Sequence, residues 1–281
     1  MSALPFVARR GLRANRVAMS ACGVILAIAL LALVGPLVSP HRFDALDYAA
    51  IAAPPGSANA HWFGTDRLGR DLYVRTLAGT RISLAIGVFA TLISVTVGVC
   101  YGAIAGFAGG RVDQFMMRLL EILSGLPLIF LVILLSVAFG RGAVLLFVSI
   151  GAVGWLTTAR IVRGETLSLR RREFIEAALA GGATPGRILR RHIIPNVLGS
   201  VIVYATLTVP QMILFESFLS FLGLGIQEPH ASLGTLVADG AREMEVAPWI
   251  LLVPGTLLAL LLFAFNLFGD GLRDALGAPE R

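Results

Sequence analysis

Six stretches of this chain are long and apolar enough to cross about 30 Å of hydrocarbon, and that requirement leaves few folds open. They lie at residues 17–38, 82–108, 119–139, 143–159, 197–222 and 249–268. The first, with 22 residues rising about 1.5 Å each, makes a helix of about 33 Å, whereas the fourth, with 17, sits at the lower limit. Inside lipid every backbone N–H and C=O must find its partner within the protein, so a crossing segment is a helix or a barrel strand. None of the six alternates apolar and polar residues as barrel strands do. The chain is therefore expected to be an all-α integral membrane protein with six transmembrane helices. Its charge supports this: only 14% of residues are charged, against about a quarter in soluble domains, too few to cover a water-facing surface.

All 23 basic side chains are Arg, and the sequence has no Lys. That excludes the phosphate-gripping Lys of a Walker A loop, a Schiff-base Lys and a kinase-type Lys–Glu pair. The chain is read as no enzyme, without catalytic residues; if ATP drives its work, another chain binds it. A net charge of +6 invites nucleic acid, but the Arg residues sit between apolar runs, where orientation in a bilayer accounts for them, and no nucleic-acid partner is expected. Cys22 and Cys100 each lie in an apolar run without a CxxC neighbour, and the four His residues are scattered, so no metal site is expected.

With the N-terminus placed inside, sixteen Arg fall on that side of the membrane and seven on the other. The positive-inside rule then puts both termini in the cytoplasm. The expected organisation is a cytoplasmic N-tail at 1–16, the first transmembrane helix at 17–38 and an extracytoplasmic loop at 39–81. A five-helix core follows at 82–268, carrying a long cytoplasmic loop at 160–196, and then a cytoplasmic C-tail at 269–281. The first apolar stretch exceeds a signal-peptide core and ends without a small-x-small cleavage site, which favours an uncleaved anchor. In the outer loop, Asp66 and Asp71 flank Arg67 and Arg70, permitting local ion pairs of little individual worth. Residues 72–82 read either as a short helix lying on the outer interface or as a solvated lead-in to the second crossing.

The cytoplasmic loop is too long for a simple hairpin and too patterned for a linker. Residues 170–182, RRREFIEAALAGG, read as an amphipathic helix with Phe174, Ala177, Ala178 and Gly181 at helical spacing and a Gly pair to end it. Thr184 and Pro185 then supply an N-cap and a first helical position for a second short helix through Ile188 and Leu189, and Pro195 marks the exit into the fifth crossing. A helix with small residues on one face allows close approach of another protein surface; the same pattern also suits a helix lying on anionic headgroups, with Arg170, Arg171 and Arg172 facing lipid.

Glu176-Ala177-Ala178, three residues, Gly182, nine residues and a closing His-Ile-Ile-Pro195 resemble the EAA loop of permease subunits in bacterial ABC importers, with His192 and Ile194 standing where that pattern has Ile and Leu. The stretches WFGTDRLGRD (62–71), MMRLLEILS (116–124), ESFLSFLGLG (216–225) and FNLFGDGLRD (265–274) are similar to the dipeptide, oligopeptide and nickel permease family, closest to its oligopeptide C-subunit branch. The resemblance implies a type I importer fold in the bacterial inner membrane and a path for oligopeptides built with a homologous second permease subunit. It also implies two cytoplasmic ABC ATPase subunits that use ATP and Mg, an extracytoplasmic solute-binding protein, and no cofactor in this chain. Carried onto this sequence it assigns ATPase coupling to Glu173, Glu176, Ala177, Ala178, Gly182 and Pro195, with Arg171 and Arg172 adding charge at the rim. Dipeptides, glutathione-like compounds and nickel remain alternative cargoes.

Ionisable and polar groups inside crossings are costly and therefore candidates for function. Arg118 and Glu121, three apart, are expected to pair. Gln211, just past Pro210, and Glu216, placed near the outer interface, are candidates for the translocation path; interhelical hydrogen bonding is the other reading for both. An ion-coupled secondary transporter would need mid-membrane carboxylates and usually an internal repeat, and the sequence offers few of the first and none evident of the second. Ser124 and His192 do not make a hydrolase dyad, since one lies in a crossing and the other in the loop.

Overall fold

The computed structural model describes residues 15–56, 61–139 and 142–276, and these are mostly helical, with a long connection between Val38 and Leu72 and shorter ones elsewhere. The expected tail at 1–16 falls almost wholly outside the described residues, as does the end of the one at 269–281. Helix α1, Arg16–Val38, is capped by the Asn15 side chain, which accepts the Ala18 N–H at 3.1 Å. Helix α2, Leu72–Ala108, is followed after one residue by α3, Gly110–Ser124, and then by α4, Leu128–Phe139. Helix α5 covers Ala143–Arg170, and α6 is the short Glu173–Ala180. A continuous helix, Pro185–Phe221, is α7. Helix α8, Leu233–Arg242, and α9, Trp249–Ala275, complete the chain.

Five of these helices are long and apolar enough to cross a membrane, and a sixth crossing arises if α3 and α4 count as one broken span. The two meet at 84°, so the expected straight third crossing at 119–139 is not observed. The break falls at Gly125-Leu126-Pro127, where Pro127 has no N–H to continue the ladder and disfavours the helical conformation of the residue before it.

Helix α2 also differs from expectation. Residues 72–82 are neither an interfacial helix nor a solvated lead-in; they are the first turns of a 37-residue helix. Asp71 caps it by accepting the Val74 N–H at 2.8 Å, and Leu72, Val74, Arg75, Thr76, Leu77 and Thr80 are buried. Gly79 brings α2 against Ala231, Ser232 and Leu236, and Gly35 of α1 lies against Leu77 and Tyr73. Burial on both sides overrides the polar look of the segment.

Below that entry α2 packs on α5 through Gly98, Gly102 and Gly106, one face of the helix at four-residue spacing. A Cβ at Gly102 would stand 2.9 Å from the Arg163 nitrogen and the Val162 Cβ, and one at Gly106 would stand 2.8 Å from the Arg163 oxygen. In lipid, where apolar side chains gain little by associating, small residues that let backbones touch supply the packing instead. Ser94 and Thr158 add a hydrogen bond of 3.3 Å across the same seam. Large apolar side chains of α1, among them Leu26, Leu30 and Leu33, stay exposed, as a lipid-facing surface requires.

Candidate functional site

The loop between α5 and α7 is anchored by one side chain and presents most of the others. Helix α5 runs well past residue 159 to Arg170, and α6 begins after two residues with Arg172 as its cap. Ile175 is fully buried and joins Ala103, Val162, Ile188, Ile193 and Val197 in a core cluster drawn from α2, α5 and α7. Ala178 and Ala183 pack half-buried on that cluster. Glu173, Phe174, Glu176, Ala177, Leu179 and Ala180 face outward. Helical spacing puts Phe174 and Gly181 on one face with Ala177 and Ala178, whereas the fold seats Ile175 and Ala178 and leaves Phe174 and Leu179 about half exposed.

The end of α6 is fixed by Gly182. The Gly182 N–H reaches the Leu179 oxygen at 3.0 Å and the Ala183 N–H reaches the Ala178 oxygen at 3.0 Å, the paired bonds of a Schellman stop. Gly182 has φ +77°, a left-handed conformation that a side chain resists, and it is exposed. Thr184 and Pro185 begin the next helix as expected of such a pair, with the Thr184 oxygen accepting from Arg187 and Ile188. That helix is not separate: it continues through a π-helical turn at Leu189–Ile193 into the membrane-length part of α7. The wider turn precedes Pro195, which cannot donate and whose ring crowds the carbonyl four residues back. Pro195 thus sits, half-buried, in the first turn of the α-helical part of α7 that follows the π-helical turn, where the loop passes into the fifth crossing.

The inner frame of the loop is held by ion pairs. Arg163 of α5 grips Asp113 of α3 with both nitrogens, at 2.5 and 2.6 Å, a planar fork on a carboxylate. Arg160 donates to the Ser124 hydroxyl at 2.5 Å. Arg118 and Glu121 pair at 3.4 Å, as their spacing predicts. The Arg163–Asp113 pair was not anticipated, because the two are 50 residues apart.

At the other end of the bundle Asp66, Arg70 and Asp71 of the WFGTDRLGRD stretch are buried and networked, not weak surface pairs, while Trp62, Phe63 and Arg67 are exposed. Asp66 accepts Arg70 Nε at 2.6 Å and lies 3.4 Å from Arg75 Nε, while Arg70 also reaches Glu228 at 3.1 Å. Asp71 caps α2 instead of pairing with Arg. Across from this network, burial pushes the Asp239 carboxyl of α8 above the usual carboxylate range, against the opposing pull of Arg67, Arg242 and Arg75.

Glu216 has no exposed surface. It accepts from Ser220 and Ser232 at 2.6 Å each and from Ser83 at 3.4 Å. Ser83 in turn accepts the Leu233 N–H at 3.0 Å, and Ser232 caps α8 by accepting the Thr235 N–H at 3.1 Å. The carboxylate therefore lies at the N-terminus of α8, where the helix dipole favours it, and ties α2, α7 and α8 together. Gln211, five residues earlier, is exposed.

Helix α6 is thus an anchored, outward-facing helix between two membrane-length helices. Residues 98–278 match the family model described as binding-protein-dependent transport system inner membrane component, and residues 7–55 match the N-terminal transmembrane domain of oligopeptide transport permease C. The chain belongs to this family of inner-membrane permease components. Among its relatives it is 55% identical over 274 residues to the oligopeptide transport system permease protein OppC of Escherichia coli K12, covering 98% of this chain and 91% of that one. It is 52% identical to OppC of Haemophilus influenzae, over 98% and 88% of the two chains, and 45% identical to the dipeptide permease protein DppC of Bacillus subtilis, over 97% and 85%. Its fold resembles that of a chain of the MetNI methionine ABC transporter in an inward-facing form, with TM-score 0.58 at 20% identity, covering 73% of this chain and 96% of that one.

Proposed function

We propose that this chain forms half the translocation path of an ABC importer for oligopeptides, together with a homologous second permease subunit. Helix α6 docks on one of two cytoplasmic ATPase subunits, which bind ATP and Mg, and an extracytoplasmic binding protein delivers the peptide. Both termini and the 160–196 loop lie on the cytoplasmic side. The observation that carries this reading is the construction of α6: Ile175 locks it to α2, α5 and α7, while Glu173, Phe174, Glu176, Ala177 and Leu179 stand free to be gripped. When the ATPases close on ATP, a helix so mounted moves as a rigid body with the crossings it is packed against, and the path changes the side to which it opens. Gly182 stops the helix so that its last turn is presented, and Arg171 and Arg172 add charge at the rim. The oligopeptide assignment rests on the names of the relatives that match at 52–55% identity.

The test is uptake in proteoliposomes holding the full assembly. Labelled peptides of three to five residues should accumulate with ATP, and unlabelled dipeptide should compete poorly; preferential uptake of dipeptide would transfer the chain to the dipeptide branch. Ala177→Trp, on the exposed face, should leave the chain in the membrane at normal abundance and reduce ATP-driven uptake at least tenfold. Full uptake in that variant would remove α6 from the docking site. Ala178 is less suitable for this test, because it packs on the core and a larger side chain there would disturb the fold.

A further inference from the structure

The segment joining α1 to α2 gathers a second set of groups that the transport reading does not use. His61 is 2% exposed, and its Nδ1 lies 2.8 Å from Asp71 Oδ2. The other Asp71 oxygen accepts the Val74 N–H at 2.8 Å. An ionised carboxylate only accepts, so Nδ1 carries the hydrogen in this pair and donates it. That leaves Nε2 of a neutral His61 as a lone pair. It is buried without a hydrogen-bond partner, and the Asp47 carboxylate faces it at 3.7 Å. The His41 ring stacks on His61 with centroids 4.2 Å apart, and His41 Nε2 is likewise buried without a partner. Ligand atoms of His41, His61 and Asp71 fall within 4.8 Å of one another.

His61 Nε2 is thus an acceptor facing the acceptor Asp47, and His41 Nε2 in its unprotonated tautomer would add a second lone pair, a set that a cation between them would satisfy. The 3.7 Å from His61 Nε2 to Asp47 is too long for a hydrogen bond. It is close to the separation of two ligands on a tetrahedral ion, about 3.4 Å for bonds near 2.1 Å. An Nδ1–H donated to a buried carboxylate is also the outer-shell arrangement that orients a metal-bound histidine. We propose that His61 Nε2, His41 and the Asp47 carboxylate bind a divalent transition metal of the zinc class, with Asp71 as the orienting partner. Imidazole nitrogens with one carboxylate suit such an ion better than calcium or magnesium, which take oxygen ligands. His41 is half-buried and stacked on His61 at 23°, so ligation by its Nε2 would require its ring to rotate out of that stack. Binding would clamp the loop after α1 onto the first turn of α2, since Asp71 serves both the cap and the histidine.

The experiment needs no transport assay, so its result is independent of the reading above. The full chain, purified in detergent with a histidine-free tag and stripped with a chelator, is dialysed against zinc and separately against cobalt(II). The expected result is about one equivalent of metal per chain, with the visible absorption of tetrahedral cobalt. His41→Phe keeps a stacked ring but removes the ligand, and Asp47→Asn removes the charge; each should weaken binding about 10–100-fold. His192→Gln, at the far end of the bundle beside Phe174, should not change it. Less than a tenth of an equivalent in the parent, or retention unchanged in His41→Phe, would overturn the site in favour of a proton shared by His61 with Asp47 and Asp71.

Discussion

Glu216 shows at the scale of single residues how a charge in a crossing can be structural in its geometry. Its two oxygens are committed to three serine hydroxyls, and two of those hydroxyls also satisfy backbone N–H groups of α8. Replacing Glu216 by Leu strands these donors in a buried setting, whereas Gln keeps an acceptor in place. Glu216→Leu is expected to destabilise the chain by about 1–3 kcal/mol for the groups left unpaired, and Gln by clearly less. Thermal unfolding in detergent measures the ranking; equal losses would show that charge at the α8 terminus, not hydrogen bonding, is what matters. Sequence spacing could not reach this arrangement, because Ser83 and Ser232 lie 133 and 16 residues away. What it could reach was the choice between a path residue and an interhelical hydrogen bond, and the atoms around Glu216 are those of the second. The exposed Gln211 is the group of the two that another chain or a cargo could touch.

Among the elements, those whose ends are written in local chemistry were legible and those decided by tertiary packing were not. The end of α6 follows from Gly181-Gly182 and the start of α7 from Thr184-Pro185, whose preferences hold whatever surrounds them; the start of α6 does not, because Arg170, expected inside it, ends α5, and Arg172 is its cap. The start of α2 does not: Arg75 and Arg81 give residues 72–82 an interfacial look, and only burial against α1 and α8 makes them part of a crossing helix. The α2–α5 seam is marked in the sequence by Gly at 98, 102 and 106 in an apolar run. Its prediction is specific. Gly102→Ala puts a methyl against the Ala159 and Arg163 backbone and should cost about 1–3 kcal/mol by overpacking. Gly199→Ala, in α7 with nothing within 4 Å of its new methyl, should be neutral or stabilising. Parallel melting curves of the two variants check the contrast, and a neutral Gly102→Ala would mean that the two helices are free to move apart.

For the whole molecule the proposed docking of α6 raises the question of whether that helix would transmit motion or only bind. Its single deep anchor, Ile175, contacts a cluster to which α2, α5 and α7 all contribute, so force on α6 is shared among three membrane-length helices at once. The stiffness of that joint depends on close packing, since a void on one side of a buried side chain removes the contacts that carry load. Ile175→Ala leaves every exposed residue of α6 unchanged and opens a cavity beneath it, at a local cost of about 2–5 kcal/mol. In the assembled importer the expected outcome is uncoupling: the ATPases still bind and hydrolyse ATP, while peptide moved per ATP falls severalfold. Ala177→Trp should do the reverse, weakening attachment of the ATPases themselves. Co-purification of the ATPase subunits, together with paired ATPase and uptake rates, separates the two variants. If Ile175→Ala lost the ATPases as completely as Ala177→Trp, the core beneath α6 would be serving to hold the docking helix in shape, and the motion would have to enter the crossings elsewhere.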